Sequence, residues 1–222
     1  MGDCFKAVGS QITETRQLPP FTRMVIDRNV DVVLVPDTQE YVIVRCGENL
    51  MELIKTTVTN GELLITNHNK CNWVRKLDTP IKAEVHLKSI ASLYFKGSGT
   101  ITNVDTLRSA NFKLEAYDAS GNVDLVVSNG WNEVVQHTGN ADLKVRGRTA
   151  ANTAYSGGNG FIDCRGLIAP ISYVRHRGTG NFYVYANTEL DVNIELIGDV
   201  YYFGTPLTIN KNITGTGKLI AQ

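Results

Sequence analysis

The chain has 222 residues, with 22 Lys plus Arg against 22 Asp plus Glu, 42% hydrophobic and 8% aromatic residues, and 4 Cys. This length suits one all-β domain with a sizeable core, the composition excludes a disordered chain, and zero formal charge removes the global attraction to nucleic acid or an anionic membrane. No run of 18 apolar residues is present to form a transmembrane helix, and the first residues show no apolar leader segment.

Residues 1–20 read as a flexible N-terminal segment and residues 21–222 as one domain. The lack of a leader fits either a cytosolic protein or a mature chain whose leader was removed. Cys4 fits either the surroundings of a lipidated cysteine or a plain cysteine in a tail. Asn29–Val35 and Tyr41–Cys46 are strand-like runs separated by the turn Pro36-Asp37-Thr38. Residues 48–56 hold the one short helical pattern. Asn60-Gly61, between two strand-like runs, predicts a β-hairpin, because a type I′ turn takes positive φ at both central positions. Ile81 to Leu87 alternates apolar and polar residues and reads as a half-buried strand. Cys46 and Cys164 lie in apolar runs and are expected to be buried thiols, whereas Cys71 sits in the polar segment NHNKCNW. None of the cysteines has zinc-ligand spacing.

From residue 97 to 222 a repeat runs through the chain: GSGTIT, ASGNVDL, HTGNADL, GNGFIDC, GTGNFYV, LIGDVYY and GTGKLIA. Each copy has glycine at its third position, namely Gly99, Gly121, Gly139, Gly160, Gly180, Gly198 and Gly217, so the copies recur about every 20 residues. Two positions later stand Ile101, Val123, Ala141, Ile162, Phe182, Val200 and Leu219, all apolar; four positions later all but Asn103 are apolar or aromatic. Alternate positions of a strand share one face, so these residues point into a core. The glycine opens the strand where a side chain is a liability, through positive φ or close backbone approach. A 20-residue period without intervening helices predicts an all-β single-stranded parallel β-helix, or β-solenoid, whose coils stack and bury each other's inward residues. A propeller or a sandwich does not place a glycine every 20 residues.

These motifs, with VHLKSIASLYFKGSG before them and FTRMVIDRNVDVVLVP and NGELLIT near the start, resemble the auto-transporter adhesin head domain family, the GIN domain, over roughly residues 20–222. The resemblance implies an exported Bacteroidota protein with a secretory or lipoprotein leader and a parallel β-helix-like fold. It brings no catalytic motif. Ala119, His137 and Leu196 depart from the family pattern at the first motif position without disturbing the strand alternation.

Three positions after the motif glycine, on the outward face, stand Asp124, Asp142, Asp163, Tyr183 and Tyr201, the candidate surface-binding residues. Stacked at strand spacing, the three aspartates would form an acidic ladder, relieved by water and raised pKa values or by Ca²⁺. The solvated row is the expected case, and no metal or cofactor is assigned. Asn122, Asn140 and Asn181 follow the glycine, where Asn suits corner geometry. Tyr183 and Tyr201 suit either stacking on sugar rings or cross-strand pairing within the sheet. Arg175-His176-Arg177 would serve a polysaccharide lyase if one surface gathered them beside an aspartate, but successive strand residues alternate faces. No nucleophile elbow, P-loop or H-E-x-x-H pattern occurs.

The expectation is a non-enzymatic, exported cell-envelope protein, in the periplasm, outer membrane or at the cell surface. It would act as an adhesin or structural module toward a surface glycan or protein ligand. The competing expectation is a carbohydrate-active enzyme using Arg175 or Arg177 with one of the aspartates in a β-helix groove. The final coil has no polar cap segment, which predicts self-association through the solenoid ends.

Overall fold

The structure is a computed structural model and describes residues 8–69 and 81–222. Cys4 and Cys71 therefore lie outside the described residues. Among the described residues the first element is β1 (Gln11–Gln17), and one coil follows as β2 (Arg23–Arg28) and β3 (Asp31–Pro36). It turns back into β4 (Tyr41–Gly47), makes one helical turn, α1 (Glu48–Met51), and forms a hairpin from β5 (Ile54–Thr59) and β6 (Glu62–Asn67). The coils resume with β7 (Lys82–Leu87), β8 (Ser92–Gly97), β9 (Thr100–Asn103), β10 (Leu107–Arg108) and β11 (Asn111–Ala116). Two strands of 15 residues follow, β12 (Asn122–Gln136) and β13 (Asp142–Ser156), each bending through the corner from one side of the solenoid to the next. The last turns are β14 (Ile162–Cys164), β15 (Leu167–Ile168), β16 (Ile171–His176), β17 (Phe182–Tyr185), β18 (Glu189–Ile194), β19 (Val200–Phe203), β20 (Thr208–Ile213) and β21 (Leu219–Ala221). This is a β-solenoid of about 6 turns with coils about 20 residues apart.

Parallel pairing builds two long sides. On the first, β7, β3, β9, the first part of β12, that of β13, β14, β17, β19 and β21 lie next to one another in that order. On the second, the order is β6, β2, β8, β11, the latter parts of β12 and β13, β16, β18 and β20. The short β10 and β15 pair with the middles of β12 and β13 at the corner between them. Each coil buries alternate residues: Val32, Ile101, Val123, Leu143, Ile162, Phe182 and Val200 stack in one column at 0% or 1% exposure. The hydrophobic effect is thus satisfied between coils rather than within any one of them.

The seven motif glycines have a common reason. At every one of them a Cβ would stand 2.0 to 2.3 Å from a backbone carbonyl oxygen of the neighbouring coil. Close approach is the general cause, since among the seven only Gly139 has positive φ, at 95°. The Asn60-Gly61 hairpin is present as β5–β6, with φ of 50° and 72° at the two turn residues.

The N-terminal end is closed by antiparallel strands. β4 pairs with β7, β1 pairs with β4, and β5 pairs with β6. Residues 11–17, within the segment expected to be flexible, form β1 instead. Ile12 packs against the core, and Arg16 donates to Ile54 O at 2.8 Å and to Thr56 Oγ1 at 3.2 Å, tying β1 to β5 across the end of the solenoid. The helical pattern at 48–56 shortens to α1, where Leu50 and Met51 are buried, because Ile54 onward is drawn into the hairpin. Among the described residues no helix is long and apolar enough to cross a membrane.

Candidate functional site

The register changes which outward residues meet. Asn122 pairs with Asp142 and Asp124 with Lys144, an offset of 20, although the motif glycines Gly121 and Gly139 are 18 apart. Gly139 instead stacks on Ala119, while Gly160 stacks on Ala141. The third copy has slipped by two residues, and a slip of two preserves the inward–outward alternation. The inward column accordingly takes Leu143 where Ala141 was expected.

The acidic ladder is therefore not formed. The outward column reads Thr102, Asp124, Lys144, Asp163, Tyr183, Tyr201 and Ile220. Lys144 separates Asp124 from Asp163. Asp124 Oδ1 accepts from Arg146 Nε at 2.9 Å and Nη2 at 2.7 Å, and Lys144 Nζ lies 3.6 Å from Oδ2. Asp142 falls in the neighbouring column, where its Oδ1 accepts the Phe161 backbone N–H at 3.0 Å. Asp163 Oδ1 accepts from Arg165 N at 3.1 Å and Nε at 2.9 Å. Asp124 and Asp163 are thus ion-paired and Asp142 is held by a backbone amide, and no cluster of metal-ligating residues occurs among the described residues.

What the register does assemble is an aromatic and ionic stripe on the first side. The Tyr183 and Tyr201 rings stack with centroids 5.1 Å apart and an interplanar angle of 17°. The Arg165 guanidinium lies over Tyr183, 4.0 Å from its centroid, and 5.5 Å from that of Phe203. Asp163 holds Arg165 in that pose, so the ion pair fixes the cation–π contact. A shallow groove of about 320 Å³ runs beside them, lined by residues including Lys144, Phe161, Asp163, Arg165 and Tyr183. Phe161 is 47% exposed at its rim. The sequence reading singled out Asp124, Asp163, Tyr183 and Tyr201 of this stripe but not Lys144, Phe161 or Arg165. Strand alternation already turns Lys144 outward, but its place between Asp124 and Asp163 becomes apparent only after the two-residue slip is known.

Arg175, His176 and Arg177 are split between two faces, as strand alternation requires. Arg175 and Arg177 both donate to Glu195, at 2.9 and 2.8 Å, on the outside. His176 points inward, 1% exposed, against the edge of Phe182. Burial pushes its pKa down, against the opposing pull of the Gly180 backbone and the Asp199 carboxylate. A lyase base beside its arginines is thus not assembled. The interior also holds a polar ladder: Asn132 donates to Asn152 Oδ1 at 2.9 Å, and Gln136 Nε2 to Ala141 O at 2.6 Å. Cys46 and Cys164 are buried, and burial pushes both thiols up.

The sequence matches the family model described as "Putative auto-transporter adhesin, head GIN domain" over residues 20–206. The chain belongs to this family. The matched span of the GIN domain runs from before β2 through β19 and takes in the whole groove. Solved structures with the same fold include a putative adhesin from Bacteroides fragilis, with a TM-score of 0.89 at 19% identity, covering 96% of this chain and 97% of that one. A protein described as a putative lipid binding protein from Parabacteroides distasonis gives 0.73 at 20% identity, with 96% and 97% covered. A putative adhesin from Parabacteroides merdae gives 0.70 at 15%, with 97% and 98% covered. At these identities the likeness is one of fold. No curated protein matches this GIN domain.

Proposed function

We propose that the chain is a non-enzymatic recognition module exported to the cell envelope, which engages a surface glycan or protein ligand through the stripe on its first side. Family membership supports the adhesive role and the export. The observation that carries the site is the Arg165–Tyr183–Tyr201 stack, in which an ion-paired guanidinium and two parallel rings form an ordered column beside the groove. Such a column is held rigid and turns ring edges, hydroxyls and flanking charge toward a ligand, which keeps the entropy cost of contact small. A catalytic reading finds less support, because the carboxylates of the stripe face basic groups or a backbone amide rather than one another.

A glycan array together with a reducing-sugar release assay tests this reading. The expected outcome is binding without release of reducing ends, weakened about tenfold or more in a Tyr183→Ala/Tyr201→Ala variant, equivalent to about 1.4 kcal/mol or more. Release of reducing ends, or binding that the double variant leaves unchanged, contradicts it.

A further inference from the structure

The second side of the solenoid carries its own concavity, of about 540 Å³, on β13, β16 and β18. The register arranges its outward residues as a checkerboard. Thr153 faces Tyr173, which faces Asp191; beside them Tyr155 faces Arg175, which faces Asn193. Tyr155 and Tyr173 therefore sit on one diagonal of adjacent strands, within reach of a single ligand. Tyr173 is 36% exposed.

The polar groups between the rings are unevenly satisfied. Arg175 gives its Nε to Glu195 at 2.9 Å and keeps its terminal N–H groups as donors. Asp191 makes no side-chain hydrogen bond or ion pair among the described residues. Asn193 Oδ1, buried, has no hydrogen-bond partner. That atom is enclosed, so Asp191 is the acceptor open to a ligand that brings donors. The charged residues that line the groove are Arg175 and Asp191, one of each sign, leaving no net charge to attract a polyanion.

We propose that this groove is a binding site for an uncharged saccharide, separate from the stripe on the first side. The C–H faces of the sugar rings would lie on Tyr155 and Tyr173. Its hydroxyls would donate to Asp191 and accept from Arg175. The charge balance matches a neutral polyol and gives a polyuronate no advantage. The proposal does not rest on the first-side reading, because no groove residue is shared with it.

Native-gel affinity electrophoresis tests it directly, with mannan, galactomannan, laminarin or xyloglucan cast in the gel, and alginate and polygalacturonate as charged counterparts. The protein carries Tyr183→Ala/Tyr201→Ala, so that the first side is disabled. Retardation by at least one neutral polysaccharide and by neither polyuronate is expected. In that gel Tyr173→Ala and Asp191→Asn should each raise the apparent dissociation constant about tenfold. Both positions are on the surface and Asp191→Asn keeps the side-chain shape; circular dichroism confirms that each variant is folded. No retardation by any of the four neutral polymers, retardation by a polyuronate, or retardation that both variants leave unchanged overturns the proposal. A failure of the first-side reading shows separately, as glycan-array binding indifferent to the Tyr183 and Tyr201 changes.

Discussion

Gly121 and Gly160 show what a single hydrogen does in this fold. A methyl group at either position would stand 2.0 Å from a carbonyl oxygen of the adjacent coil, so the coils must part or the strand must shift. We expect Gly121→Ala and Gly160→Ala each to cost roughly 1–3 kcal/mol, the range for overpacking, read from urea unfolding. Gly130→Ala serves as the contrast. Its Cβ would meet only Ala110 O, at 3.1 Å, and a strand glycine is already about 0.5–1 kcal/mol worse than alanine, so its change should stay within about 1 kcal/mol. His176 sets a different residue-level dependence. Its folded pKa lies below the unfolded value of about 6.5, so the unfolded chain binds the proton first. Its neutral burial is therefore harmless above that value, and stability falls as pH drops through it toward the folded pKa, by at most about 1.4 kcal/mol per pH unit. Urea unfolding at pH 7.5 and 5.5 should show this loss, and His176→Leu should shrink it; an equal loss in the variant contradicts the assignment.

At the scale of elements, the antiparallel cap depends on one polar knot. His86 on β7 bonds Asp37 at 2.8 Å and Glu84 at 3.1 Å, and its ring stacks on Tyr41 of β4 at 4.0 Å. Arg45 of β4 donates to the same Glu84 at 2.8 Å. The His86 hydrogen bond holds the Asp37 carboxyl below its ordinary value, and Arg45 first, then His86, does so for Glu84. His86→Ala should thus loosen β4 and the β1 strand that hangs on it while leaving the later coils untouched. Hydrogen exchange should quicken in residues 11–17 and 41–47 and stay unchanged in β16 to β19. Uniform quickening would mean that the cap and the coils open together. The strand alternation in NVDVVLV and YVIVRC made β3 and β4 legible in the sequence, and Asn60-Gly61 did so for the hairpin. β1 was not legible, because QITETRQ carries a single apolar residue and its anchor, Arg16, bonds groups on β5 that are 38 and 40 residues away.

At the scale of the molecule, the glycine period was enough to read a solenoid, because close approach between coils recurs once per turn. The stripe was only half legible. Gly139 adopts positive φ and stacks on Ala119, so the motif and the coil lose step for one turn. The alternation of inside and outside survives a slip of two, so hydrophobicity gives no warning of it, yet every outward neighbour across that step changes. Asp124 meets Lys144 in place of Asp142, and a supposed acidic ladder becomes a compensated stripe leading to Tyr183 and Tyr201. The later copies, 20, 18 and 19 residues apart, stay in step, so Asp163, Tyr183 and Tyr201 pair in one column as the motif spacing places them. The register across β12 and β13 thus decides the binding surface. Disulfide trapping tests it, with Cys4 and Cys71 replaced by serine to remove competing thiols. Directly paired parallel neighbours lie about 4.8 Å apart, within disulfide range, whereas diagonal ones lie roughly 7–8 Å apart and outside it. Under mild oxidation, Asp124→Cys/Lys144→Cys should close a disulfide and Asp124→Cys/Asp142→Cys should not, as read by peptide mass spectrometry; the reverse outcome would restore the acidic ladder and contradict the register.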